Sequence, residues 1–438
     1  MSDLTPHPRA RRAVRVTAVA ASAQLGGTER VLLDFAARAF EHDINLRVLT
    51  PRHGPLIGIL NDIGVPAEVV PASERMLAGS QRAGHLWSLP GSAAGLIAWA
   101  RRLARHEFFD DADAIYTVAF KAHLAVAWLR RHPVVWHLHE YPPTVTSMLW
   151  RLTSRFVPDA MIANSNATAE AWGGRATYHV QRATEVGGGR LTSHVSPLTV
   201  VPNGVDLDRF RPRPRTSWIH DRLSIPRQHR LIGMPAVFAR WKGQLEVIKA
   251  FSVVGSRLSD LHLVIVGGSI YDTVAERAYA LELERAVRAV SESVHLLPFQ
   301  PKIELVYPEF DLAAHYSLRP EPFGRVILEA MASGVPVIAA GEGGPVEILG
   351  EGGTGKGSTD GAHAQRITDN GQRIPCGWLA PPRNVPALAD TLREVLSLPG
   401  DRLRAIGDAA RRRAEDHFSA RQFARRVADV LRGAVLTE

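Results

Sequence analysis

Cysteine occurs once in the 438 residues, at Cys376, so no disulfide can form within the chain. That excludes the disulfide-stapled secreted scaffolds and fits a reducing compartment. No apolar run approaches the ~20 residues that a bilayer-spanning helix needs. Nowhere does a G-x-G-x-x-G turn follow a strand, so the fingerprint of dinucleotide binding is missing. Lysine is scarce: Lys121, Lys242, Lys249, Lys302 and Lys356 are the only five, and arginine supplies the rest of the 52 cations and the net charge of +8. Basic runs interleaved with aromatics are also absent, as are the sequence signatures of the common nucleic-acid modules, which argues against a nucleic-acid partner. Gly350 to Lys356 resembles a P-loop fragment, but Gly357 stands where Ser or Thr is required.

What is present is ordinary soluble composition, 45% hydrophobic and 22% charged, over a length that suits two or three domains. Arg9, Arg11 and Arg12 faintly resemble a twin-arginine signal, but Arg15 interrupts the apolar part that follows. Residues 1–13 therefore read as a disordered basic tail ahead of a first strand, and the cytoplasm as the compartment.

The most informative stretch is 319–340, RPEPFGRVILEAMASGVPVIAA. Pro320 and Pro322 enforce an extended approach. A helix from Phe323 or Gly324 follows, with Val326, Ile327, Ala330 and Met331 on one face, and Gly334 ends it before a buried strand at 335–340. Glu321 and Glu329 are eight residues apart, roughly 12 Å along a helix. Glycoside hydrolysis needs two carboxyls roughly 5–9.5 Å apart, so the pair suits the two ends of an extended ligand better. The backbone N–H groups near Phe323, Gly324 and Arg325 lie between them and attract phosphate. That arrangement describes a nucleotide-sugar cradle; the alternative is an ordinary amphipathic helix with two solvated glutamates.

Strand and helix patterns alternate through both halves, which predicts parallel sheets covered by helices. In the first half, strands are expected at 14–20, 45–51, 67–71, 114–118 and 134–140, with helices at 29–40, 92–105 and 121–131. Gly26 and Gly27 form a turn after the first strand, and Thr28 can cap the helix behind it. His139 ends the strand VVWHLHE, where such sheets bind ligands, with His137 on the same face. A histidine so placed is either a structural hydrogen-bonder or a reactive-site residue. MIANSNATAE (161–170) reads as a strand into a turn capped by Ser165 or Asn166, residues 173–197 as a mobile polar segment, and 198–215 as the interdomain linker. In the second half, 231–251 delivers Arg240 and Lys242 at a strand-to-helix turn. Two cations there are either solvated surface or a diphosphate clamp. LHLVIVGGS (261–269) ends in Gly267 and Gly268, strands follow at 294–301 and 311–318, and 417–433 reads as an amphipathic helix.

EPFGRVILEAMASGVPVIA resembles the Glu-x7-Glu motif of the retaining GT-B glycosyltransferases, in particular glycosyltransferase family 4. GGTER, VPNGVD, the R-x-K turn and Gly343-Gly344 are similar to companion segments of that family and occur in its order. The resemblance implies two Rossmann-like doubly wound α/β domains facing a cleft: 14–205 for the acceptor, with 417–438 crossing back to it, and 206–416 for the nucleotide sugar. It implies transfer of a sugar from a UDP- or GDP-sugar to an acceptor hydroxyl with retention of configuration, in cell-surface polysaccharide or glycolipid synthesis. It places His139 beside the donor sugar, Glu321 on sugar hydroxyls, Glu329 on the ribose, Arg240 and Lys242 on the diphosphate, and 297–299 at the base. Gly26, Gly27, Gly267, Phe323, Gly324, Arg325 and Val326 complete the donor contacts. The resemblance requires no divalent ion, so no metal or other cofactor is expected. The partners implied are the donor and a glycan or lipid-linked acceptor, with peripheral contact at the anionic inner membrane face as a further expectation. Two other readings stay open, a non-catalytic sugar-nucleotide or glycan-binding protein of the same fold and, further off, a nicotinamide oxidoreductase.

Overall fold

The computed structural model describes residues 12–436 apart from 79–89, 130, 143–153, 155–156, 174–196, 256–257, 270–272, 291, 351–364 and 368–372. The expected basic tail and most of the 173–197 and 351–375 segments lie outside the described residues. Contacts divide the chain into two compact units, Met1–Ala163 with Ala171–Val201 and Ala424–Glu438, and Asn164–Glu170 with Pro202–Phe423. The turn at 164–170 thus belongs with the second unit by contact, although its strand belongs to the first.

The first unit holds β1 (Val14–Val19), β2 (Ile44–Thr50), β3 (Ala67–Val69), β4 (Ala114–Thr117), β5 (Val134–Leu138), β6 (Ala160–Ala163) and β7 (Leu198–Val200). They form one sheet in the order β3-β2-β1-β4-β5-β6-β7, every pair parallel. Continuous apolar strands such as VVWHL, buried at all five positions, are what a sheet covered on both faces demands.

The second unit repeats the plan with β8 (Arg230–Pro235), β9 (Leu261–Gly267), β10 (Val294–Pro298), β11 (Leu312–His315) and β12 (Val337–Ala340). A small antiparallel hairpin, β13 (Gln365–Ile367) with β14 (Arg373–Pro375), precedes β15 (Trp378–Ala380). The sheet order is β10-β9-β8-β11-β12-β15, again all parallel. In each sheet the order reverses once, between β1 and β4 and between β8 and β11. Ligands of such sheets bind at the carboxyl ends of the strands beside that switch point.

Two elements differ in their bounds from what the sequence suggests. The strand expected at 335–340 pairs only over Val337–Ala340, because Pro336 has no N–H to give a ladder. The final helix runs Ala420–Leu436, after a separate helix Gly400–His417. Ser419 Oγ accepts from Gln422 N–H at 3.2 Å and so starts the later helix.

Candidate functional site

The second switch point decides where the charged groups meet. After β8 the chain crosses to a short turn, Arg240–Lys242, and then the helix Gln244–Gly255. Gly243 joins them at φ 72°, and a Cβ there would lie 2.0 Å from Tyr316 O. Only glycine allows both the left-handed backbone and that approach. Leu318 N–H donates to Trp241 O at 2.7 Å, so the turn is tied to the segment leaving β11.

Lys242 is delivered by this turn onto Glu321, with Nζ 2.8 Å from Oε2. The same oxygen accepts from Ser317 Oγ at 2.8 Å and lies 3.5 Å from His315 Nε2. His315 ends β11 and Ser317 follows by two, which puts both on one face of the extended chain. Burial alone would push the Glu321 carboxyl up, but Lys242, His315 and the hydrogen bonds from Lys242 and Ser317 hold it below the usual range. His315 is pushed down to about 4, chiefly by burial, with Lys242 adding and Glu321 opposing. At neutral pH the cluster therefore holds a carboxylate and a neutral imidazole beside the Lys242 side chain.

The pH dependence of stability follows. An unfolded histidine binds its proton below about 6.5, whereas folded His315 stays neutral down to about 4. His262 is likewise pushed down to about 4 by burial and by the neighbouring His295 and His229. At these two histidines the unfolded chain binds more protons in this window, so the stability they contribute is lost as pH falls from about 6.5 towards 4. Glu321, held below 4.5, loses its contribution only as pH falls below about 4.5 towards its lowered folded value. The thermal midpoint should drop steadily between pH 6.5 and 4.5; a flat profile would contradict these environments.

The stretch after Glu321 is shaped by glycines. Gly324 caps the helix Arg325–Ala332 at φ 113°, and Gly343 turns at φ 76°. Glu321 bridges to Gly343, and Gly344 N–H donates to Glu321 O at 2.8 Å. A Cβ on Gly344 would sit 2.4 Å from Phe323 Cα. Ser165 Oγ donates to Pro322 O at 2.6 Å, and Glu347 accepts from Asn166 and Ala167 N–H at 2.8 Å each. Ser165 also caps the helix Asn166–Ala171 by accepting from Thr168 N–H at 3.0 Å.

Glu329 has a separate environment from Glu321. Its Oε2 accepts from Tyr307 OH at 2.9 Å and its Oε1 lies 3.5 Å from Arg325. Both side chains are largely out of solvent, 12% exposed for Glu321 and 9% for Glu329, so the reading of two solvated glutamates does not hold. Arg240 departs from expectation. It is exposed, pairs with Glu282 and lies over the Tyr279 ring at 5.3 Å, so it does not converge with Lys242 on Glu321. Gly267 packs where a Cβ would meet Ala236 O at 1.9 Å, and Phe299 beyond it is exposed.

The first unit has its own polar group at the carboxyl edge. Gly26 caps the helix Gly27–Ala36, and Arg30 N–H donates to Gly26 O at 3.1 Å. Glu29 is buried in the first turn, and burial, with the Glu140 charge adding, pushes it up to about 7. His139 is half-buried, its ring 4.0 Å from that of His137, whose Nδ1 lies 2.5 Å from Tyr116 OH. Burial, then His139 and His123, hold His137 well below its ordinary value. Lys121 donates to Met76 O at 2.7 Å and Leu77 O at 2.6 Å, and burial pushes it down to about 8. His315, Ser317, Glu29 and Lys121 are the polar residues that the sequence reading did not single out.

Comparison with known proteins identifies the family. The pattern described as "Glycosyl transferases group 1" matches residues 218–413, and that described as "Glycosyltransferase Family 4" matches residues 25–184. Together they cover most of both units. The chain belongs to the family 4 glycosyltransferases. The curated relatives it matches include D-inositol 3-phosphate glycosyltransferase of Corynebacterium urealyticum, 32% identical over 42% of this chain and 46% of that one. A second is the GDP-mannose-dependent alpha-(1-6)-phosphatidylinositol monomannoside mannosyltransferase of Mycobacterium tuberculosis, 30% identical over 54% and 56% respectively. The chain thus spans about half the length of the curated relatives it matches. Among solved structures, the GT-B fold of this family 4 member matches HepE of Anabaena, there in complex with UDP and glucose, at TM-score 0.71 and 23% identity over 96% of this chain and 100% of that one. It also matches the alpha,alpha-trehalose 6-phosphate synthase of Burkholderia multivorans at TM-score 0.70 and 14% identity, over 97% and 99%. At such identities the likeness concerns the fold.

Proposed function

We propose that the protein is a retaining glycosyltransferase that moves a sugar from a UDP- or GDP-sugar to an acceptor hydroxyl, without a metal ion. The observation that carries this reading is the buried cluster of Lys242, Glu321, Ser317 and His315 at the switch point of the second sheet. Family membership, and relatives whose names specify nucleotide-sugar transfer, support it.

In this reading the donor diphosphate meets Lys242 and the start of the helix Arg325–Ala332, with the side chain of Arg240 leaving Glu282 to join them. Lys242 then shifts part of its attraction from Glu321 to the phosphate. Glu321, kept ionised, accepts from the sugar hydroxyls, and Glu329 exchanges Arg325 for the ribose. The bond from the anomeric carbon to the diphosphate oxygen breaks and a bond to the acceptor oxygen forms on the same face. The acceptor proton passes to the departing phosphate, whose charge Lys242 and the helix N-terminus stabilise. The first unit, which carries His139 and the Gly26-Gly27 turn, takes the acceptor. A glycan or lipid-linked acceptor suits the basic surface, and we place the enzyme on the cytoplasmic side, with peripheral contact to anionic lipid.

The test is the anomeric proton coupling of the product by NMR. An α-configured donor should yield an α-linked product; a β-linked one would overturn the retaining assignment.

A further inference from the structure

The second unit contains a cavity of about 480 Å³ that shares no residue with the Lys242–Glu321 cluster. One wall is the segment 213–218; the other is the segment 300–309, which carries two short helices, Ile303–Leu305 and Tyr307–Glu309. Trp218, half-buried, faces the cavity together with Leu305 and Pro308 and gives it an apolar side.

Glu309 lines the same cavity and is 1% exposed. One of its oxygens is fully used: Oε1 accepts from Thr216 N–H and Thr216 Oγ1, both at 2.8 Å. Its other oxygen, Oε2, is buried with no hydrogen-bond partner among the described residues. A buried carboxylate oxygen left without a donor is unfavourable, and a bound hydroxyl would relieve it. Arg213 and Lys302 also line the cavity. Among the described residues Arg213 donates only to Arg209 O, at 2.9 Å, and Lys302 has no carboxylate partner. They contrast with Arg209 and Arg215 beside them, which pair with Glu304 and Asp311.

An unfilled acceptor at the base, two cations without counter-ions and an indole wall are complementary to one ligand chemistry. A hydroxyl donates to Glu309, the C–H face of a sugar ring packs on Trp218, and an anionic substituent meets Arg213 and Lys302. The volume lies in the range that encloses small ligands. We propose that this cavity is an accessory binding site for a phosphorylated saccharide, separate from the donor site. Such a site would hold an anionic glycan segment or a sugar phosphate against the enzyme during turnover.

The experiment uses the full chain with glucose 6-phosphate, glucose and inorganic phosphate as probes, read by ligand-observed NMR titration with UDP and GDP at saturation. Glucose 6-phosphate should bind with both nucleotides present, at least tenfold more tightly than glucose or phosphate. R213A/K302A, which alters only the cations, should weaken it tenfold or more, and Glu309→Gln should weaken it while the thermal midpoint shows that the protein is folded. Loss of binding on adding nucleotide, equal affinity for all three probes, or unchanged affinity in R213A/K302A would overturn the site.

Discussion

Replacing Lys242 by alanine should lower kcat/KM by about 10²–10³, the effect of removing one preorganised charge from a departing oxyanion. The structure supplies the reason in two parts. Lys242, which the proposed reading puts on the diphosphate, sits on a turn that Gly243 and the Leu318 N–H to Trp241 O bond fix in place. It is also the main cation beside Glu321, with Nζ 2.8 Å from Oε2. Its removal leaves that carboxylate with Ser317 and a neutral His315, so Glu321 takes up a proton more readily and sugar-hydroxyl binding weakens. Breaking one side of a buried ion pair costs roughly 3–5 kcal/mol, so the thermal midpoint should fall as well. K242A/E321Q separates the two effects: stability should recover substantially while activity stays lost. Undiminished turnover in the single variant would remove Lys242 from the site.

A second large effect is expected at a position that touches no substrate. Gly243→Ala forces a Cβ to 2.0 Å from Tyr316 O, at a φ of 72° that an L side chain rarely adopts. The turn must then move off the segment 316–318, and Lys242 moves with it. A displacement of about 1 Å in a positioning group costs on the order of 10²-fold in rate, and strain of this kind about 1–3 kcal/mol in stability. Gly268→Ala is the control, because its Cβ would meet nothing nearer than Phe299 Cβ at 3.8 Å. The comparison is made by kcat/KM and thermal midpoint for both. If Gly243→Ala lies within twofold of the parent, the turn does not position Lys242.

How far the sequence reveals this arrangement depends on the kind of signal. The Glu321–Glu329 spacing, the Gly334 stop and the alternating strand patterns are local, and they lead directly to the helix Arg325–Ala332 and the parallel sheets. His315 and Ser317 carried a usable signal, since two polar residues two apart at the end of an apolar strand point to one face at the ligand edge. Glu29 gave none, because an acidic residue in a first helical turn is ordinary, and only the fold shows that it is buried. Arg240 shows the opposite limit. Its place in the turn is legible, but its pairing with Glu282, 42 residues later on another helix, is a tertiary choice. The grouping of 164–170 with the second unit likewise rests on Ser165 reaching Pro322 O and Glu347 reaching Asn166, contacts across more than 150 residues.

The most direct test of the central claim is a thermal-shift series with UDP, GDP, ADP and dTDP and their common sugars, run on the parent protein and on Lys242→Ala. A ligand that binds only the folded state raises the midpoint by mass action. The midpoint should rise with the UDP or the GDP series, and that rise should be largely lost in Lys242→Ala. A folded parent protein whose midpoint none of these nucleotides moves would contradict it.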